Sequence, residues 1–87
     1  MKEAKKNRRK VIGVIVPSGW TDEGRVTGIA LFSTDEKEYL IELKCKGKEL
    51  MRQINAQVEI EGDITHQVDG PATIRIAHYR LIDLNRL

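Results

Sequence analysis

The sequence predicts an all-β chain folded as a small five-stranded barrel with one short helix. Three observations predict it. Apolar residues alternate with polar ones over several short runs, the signature of half-buried strands. Turn residues such as Pro17, Gly24 and Gly70 punctuate those runs. One segment alone, "KGKELMRQINA" from Lys46, changes to helical spacing, with Leu50, Met51 and Ile54 on one narrow stripe. The chain has 87 residues, which bounds it to one domain with a compact core.

The first strand is expected over Arg9–Val16. It is apolar on both sides, and Gly13 in its middle marks a bend or barrel corner. Pro17, which lacks an N–H donor, is expected to end it. "PSGWTDEG" then reads as a loop. "RVTGIALFS" is the second strand, "TDEK" a turn, and "EYLIELKC" the third strand, with Tyr39, Ile41, Leu43 and Cys45 inward. Glu38, Glu42 and Lys44 face outward, and Leu40 interrupts that outward face. In the helix, Gly47 suits the start, Asn55 suits a left-handed stop, and Glu49 can pair with Arg52 or Gln53. "QVEIEGDIT" is the fourth strand, with Val58, Ile60 and Ile64 inward. Asp69-Gly70 signals a hairpin. In the last strand, "ATIRIAHYRLID", Ile74 and Ile76 lie on one phase and Tyr79 and Leu81 on the other. A bulge near Ala77 reconciles them.

Three meandering strands, a short helix and a final hairpin describe the OB-fold, a Greek-key barrel whose open end the helix closes. Residues 1–9 are expected to be a flexible basic arm and residues 10–84 the barrel. An SH3-like barrel fits less well, because a helix between the third and fourth strands is not its usual feature. The segments "GWTDEG", "STDEKEYLIE", "KGKELMRQI", "VEIEGDI" and "YRLID" resemble a group of small bacterial OB-fold proteins. The resemblance implies the fold and carries no catalytic residue. The aromatic-rich strand motifs of cold-shock domains are absent, so their RNA binding is not carried over.

The formal net charge of +2 conceals an asymmetry. Residues 1–10 hold six Lys/Arg against one Asp/Glu, a net +5, and the rest hold nine against twelve, a net −3. The basic stretch is either a contact for nucleic acid or a solubilising tail. For single-stranded nucleic acid, the second and third strands and their flanking loops need stacking rings and positive charge. The candidates are Lys5, Lys6, Arg8, Arg9, Lys10, Trp20, Arg25, Lys44, Arg75 and Arg80. Trp20 either stacks a base beside Arg25 or folds over the barrel mouth as part of the core; the gain from burying a large ring favours the latter. Against phosphate binding stand the outward acids of the third and fourth strands. They favour the alternative, a protein-interaction module that uses exposed Leu40 and the edges of an incompletely closed barrel.

No serine, cysteine or histidine assembles into a nucleophile, a base and an orienting group, so the protein is expected not to be an enzyme. His66 and His78 have no zinc-site spacing to Cys45, and neither a metal nor a small-molecule cofactor is expected. His78 is expected to be half-buried and bonded to a neighbour. The longest apolar run, Val11–Val16, is too short for a membrane span or a signal peptide, and a cytoplasmic location follows as an expectation.

Cys45 is the only cysteine and continues the inward phase of the third strand. A thiol reagent should label it slowly in the native protein and rapidly in denaturant. Fast native labelling would place it at the surface and break that phase.

Overall fold

The computed structural model describes residues 8–44 and 46–82. It contains β1 (Arg8–Trp20), β2 (Val26–Ser33), β3 (Glu38–Ile41), α1 (Lys46–Glu49) continued by a 3-10 turn (Leu50–Arg52), β4 (Gln57–Gln67) and β5 (Gly70–Leu81). The strands close into a barrel in the order β1-β2-β3-β5-β4. Every neighbouring pair is antiparallel except β3–β5, which is parallel. This is the OB-fold arrangement with its helix between β3 and β4. The barrel is closed, so the open edges expected for a protein contact are not there.

Alternation fills the interior. Ile15, Leu31, Leu50, Val58, Ile60 and Ile74 are fully buried, joined by Ile29, Tyr39, Ile41 and Ile64. β1 serves two neighbours: Arg8–Val14 pair with β4, and Gly13–Trp20 pair with β2. Gly13 belongs to both sets and sits where the ribbons converge. A Cβ there would lie 2.3 Å from the Phe32 carbonyl oxygen, so only glycine fits.

Pro17 does not end β1. The Ile15 N–H donates to the Ala56 carbonyl and the Ile15 carbonyl accepts from Asn55, so Ile15 faces away from β2. Strand alternation turns Pro17 to the same side, beyond the last β1–β4 pair, Val14–Gln57. Its missing N–H therefore lies where no ladder needs it. β3 is shorter than expected and ends at Ile41; Cys45 lies outside the described residues.

The chain then turns sharply under the barrel. Gly47 is buried within α1, and a Cβ there would lie 2.0 Å from the Glu42 carbonyl oxygen. Its role is to permit this close return rather than to start the helix. Leu50 fills the barrel floor, with Met51 and Ile54 partly buried against the core. Asn55 ends the segment at φ 75°, the left-handed stop its side chain tolerates.

Glu61 pairs with His78 and Gly62 with Ile76, which leaves Ala77 as the extra residue. The bulge turns Tyr79 toward the core and leaves His78 and Arg80 exposed. In the β4–β5 hairpin, Gln67 pairs with Gly70, so the turn residues are Val68 and Asp69 rather than Asp69 and Gly70.

Leu50→Ala should cost about 2–4 kcal/mol by opening a cavity in the barrel floor. Urea denaturation checks this, and a loss below about 0.5 kcal/mol would mean that Leu50 does not close the barrel.

Candidate functional site

The register separates the outer surface into two faces. On β1, β4 and β5, three cross-strand rows stand side by side: Arg8–Asp63–Arg75, Lys10–Glu61–His78 and Ile12–Glu59–Arg80. Each β4 acid thus has a basic or apolar residue on one side and a basic residue or histidine on the other. Arg8 Nε lies 3.3 Å from Asp63 Oδ1, and Arg80 Nη2 donates to Glu59 Oε1 at 2.6 Å. The Arg80 hydrogen bonds hold the Glu59 carboxyl below its ordinary value, with the charges of Arg80 and Lys10 adding to the effect. Arg75 approaches Glu42 of the β3–α1 connection at 3.8 Å, an ion pair too long for a hydrogen bond.

The second face covers β1, β2 and β3. Inward Gly13, Ile15, Ile29, Leu31, Tyr39 and Ile41 alternate with outward Val14, Val16, Phe32 and Leu40, and Ala30, on the outward phase, is itself fully buried. The register aligns Val14–Phe32–Glu38 in one row and Val16–Ala30–Leu40 in the next. Phe32 is 47% exposed on this otherwise aliphatic floor, and Ile12, 39% exposed, extends it along β1. Trp20 stands at the end of the same β1–β2 ribbon, paired with Val26 and 59% exposed.

Acids frame this second face at both ends. The β1–β2 turn carries exposed Asp22 and Glu23, and the β2–β3 turn carries exposed Asp35 and Glu36. Thr21 organises the first turn: its carbonyl accepts from Gly24 and its hydroxyl from the Arg25 N–H. Ser33 organises the second. Its hydroxyl donates to Asp35 and accepts from the Lys37 N–H, and the bond to Asp35 holds that carboxyl below its ordinary value. Glu38 stands beside Phe32 as an exposed acid.

The predicted nucleic-acid residues do not converge. Lys5 and Lys6 lie outside the described residues. Arg8 and Arg9, expected in the arm, are the first residues of β1. Arg8 and Arg80 are hydrogen-bonded to carboxylates, and Arg75 lies near one without a hydrogen bond to it. Lys10, on the β1–β4–β5 face, and Trp20, Arg25 and Lys44 are exposed but are spread over different elements. Trp20 is not folded over the barrel mouth, and it belongs to the strand rather than the loop. Leu40 is half-buried, not freely exposed. His78 is exposed rather than half-buried. Phe32 was missed as a site residue, although its place between inward Leu31 and Ser33 signals an outward ring in the second strand.

At the floor, Glu49 does not pair with Arg52 or Gln53. It accepts a hydrogen bond from the Tyr79 hydroxyl at 2.7 Å, which ties α1 to β5. Among the described residues no cluster of His, Cys, Asp and Glu could hold a metal ion, and no helix is long and apolar enough to cross a membrane. Comparison with known proteins gives no match to a family model, a curated protein or a solved structure.

The Glu49 carboxylate, aided by partial burial, raises the Tyr79 pKa above its ordinary value of 10.0. The tether therefore contributes stability below the tyrosine range and loses it as pH rises through the raised value. Tyr79→Phe should cost roughly 0.5–1 kcal/mol at neutral pH, toward the low end because solvent reaches the pair. It should also remove the part of the alkaline loss of stability that Tyr79 causes. Urea titrations of both proteins from neutral to alkaline pH measure the difference.

Proposed function

We propose that this domain is a non-catalytic interaction module that docks a protein partner on the outward face of β1, β2 and β3. The carrying observation is the exposed Phe32 set among the outward aliphatic residues Val14, Val16 and Leu40. A contiguous apolar floor with an aromatic anchor is what a protein interface desolvates at its centre. Aliphatic side chains offer a nucleic-acid base nothing to stack on, and the acids beside this floor repel phosphate. The Ser33 hydroxyl is buried and engaged with Asp35 and the Lys37 N–H, an arrangement that shapes a turn. The resemblance to small bacterial OB-fold proteins adds the fold to this reading and no activity.

A second reading, sequence-independent binding of single-stranded nucleic acid, rests on exposed Trp20 beside Arg25 together with the basic residues 1–10. A photo-crosslinking phenylalanine analogue tests the two in cells. Placed at position 32 it should yield protein adducts, and placed at exposed position 48 on α1 it should not. Nucleic-acid adducts from positions 20 and 32 would favour the second reading instead. In that case, replacing Lys2, Lys5 and Lys6 with glutamine should flatten the slope of log K against log salt by about 2, at roughly 0.7 per phosphate contact. Arg8–Lys10 are left intact because they form the start of β1.

A further inference from the structure

We infer that the β1–β2–β3 face takes an extended polypeptide segment of the partner that is apolar in its middle and basic at both ends. The inference rests on the protein-interaction reading and specifies the partner's chemistry. Its ground is the distribution of charge about the apolar floor. Residues 13–44, which form that face and its turns, hold six acids (Asp22, Glu23, Asp35, Glu36, Glu38 and Glu42) against three bases (Arg25, Lys37 and Lys44), a net −3. The remaining described residues, 8–12 and 46–82, hold eight bases against five acids, a net +3. The apolar floor therefore lies in the acidic half of the barrel.

The acids are also placed at defined ends. β2 runs for eight residues between the two turns. At about 3.3 Å per residue it separates Asp22 and Glu23 from Asp35 and Glu36 by ~26 Å. Between them the outward positions are small or apolar: Gly28 and Phe32 on β2, Val14 and Val16 on β1, and Leu40 on β3, with Ala30 buried among them and Glu38 beside Phe32 at the Asp35–Glu36 end. An extended segment of about eight residues spans the same length. Its alternate side chains meet the floor and its ends meet the acids. Among the acids of the turns, Asp35 is fixed in place by the hydrogen bond it accepts from the Ser33 hydroxyl, which also lowers its pKa. The tight Thr21–Arg25 and Ser33–Lys37 turns fix both acidic ends before any partner arrives, and such preorganisation lowers the ordering cost of binding.

Trp20, the only tryptophan, ends the β1–β2 ribbon opposite core-packed Val26 and next to the turn of Asp22 and Glu23, so its fluorescence reports on that acidic end of the face. The test titrates the full chain with two tryptophan-free peptides of about twelve residues, long enough to overlap both turns. Both have an alternating Val-Thr centre; one has two lysines at each end and the other two glutamates. The lysine-ended peptide should change Trp20 fluorescence with at least about tenfold tighter affinity, a preference that shrinks as salt is raised. Phe32→Ser should weaken it severalfold, and Glu38→Lys should lower the preference for lysine ends; circular dichroism confirms that each variant is folded. Equal affinity for the two peptides, or indifference to Phe32→Ser, overturns the inference. So does an oligothymidylate that changes Trp20 fluorescence where neither peptide does. If crosslinking from position 32 yields protein adducts while the peptides show no preference, the assigned chemistry fails and the interaction reading survives. If no protein adducts form, that reading itself fails.

Discussion

Closure of this barrel depends on three residue pairs. Tyr39–Ala72, Leu40–Thr73 and Ile41–Ile74 join β3 to β5 in parallel, and without them the five strands are an open sheet. Parallel pairing is the weaker kind, and three pairs is a short ladder. Burial reinforces it. Tyr39, Ile41 and Ile74 all point into the core, and the Glu42 N–H extends the ladder by donating to the Ile74 carbonyl. The helical segment follows directly from this seam, so Leu50 is delivered under the strands that most need support. Gly47 permits the return because no side chain separates it from the Glu42 carbonyl. Tyr79 and Glu49 then anchor the same segment to the other strand of the seam.

Closure also decides what the outside can do. Because β1 bends at Gly13 from one neighbour to the other, its first half joins the charged rows with β4 and β5, and its second half joins the apolar rows with β2. Ile12 and Val14 lie where the two meet. An open sheet would place these side chains on one continuous surface. The closed barrel gives the cations and the rings different directions.

The inward pattern was readable from the sequence because burial imposes a period of two, which a reader can follow without knowing the neighbours. The phase conflict between Ile76 and Tyr79 even located the bulge at Ala77, since only an extra residue lets both reach the core. The features that depend on pairing were not readable. Whether Pro17 breaks a strand depends on which side its absent N–H faces, and that is set by the distance β4 follows β1. The β4 acids read as a repulsive face because the partners that neutralise them come from β1 and β5, far away in sequence. Trp20 was expected inside on the argument that a small core gains from a large ring. The core is already filled by isoleucine, leucine and valine, with Tyr39 as its aromatic.

The choice between partners does not turn on the strength of the ion pairs. Exposed pairs such as Arg80–Glu59 contribute little, because solvent screens them. A phosphate that forms a charge-assisted bond to the same guanidinium could displace such a carboxylate at little net cost. The proposal of a protein partner rests on geometry instead. Single-stranded nucleic acid gains affinity when a stacked base and a neutralised phosphate belong to the same stretch of strand. Here Phe32 stands beside Glu38, and the turn that follows it carries Asp35 and Glu36, while Arg8, Lys10 and Arg80 lie on the β1–β4–β5 face. A strand stacked on Phe32 would bring its phosphates toward carboxylates, and a strand held by the arginines would leave its bases without Phe32. A polypeptide is not bound by that coupling. It can place an apolar side chain over Phe32 and a lysine against Glu38 within a few residues, which is the combination this face presents.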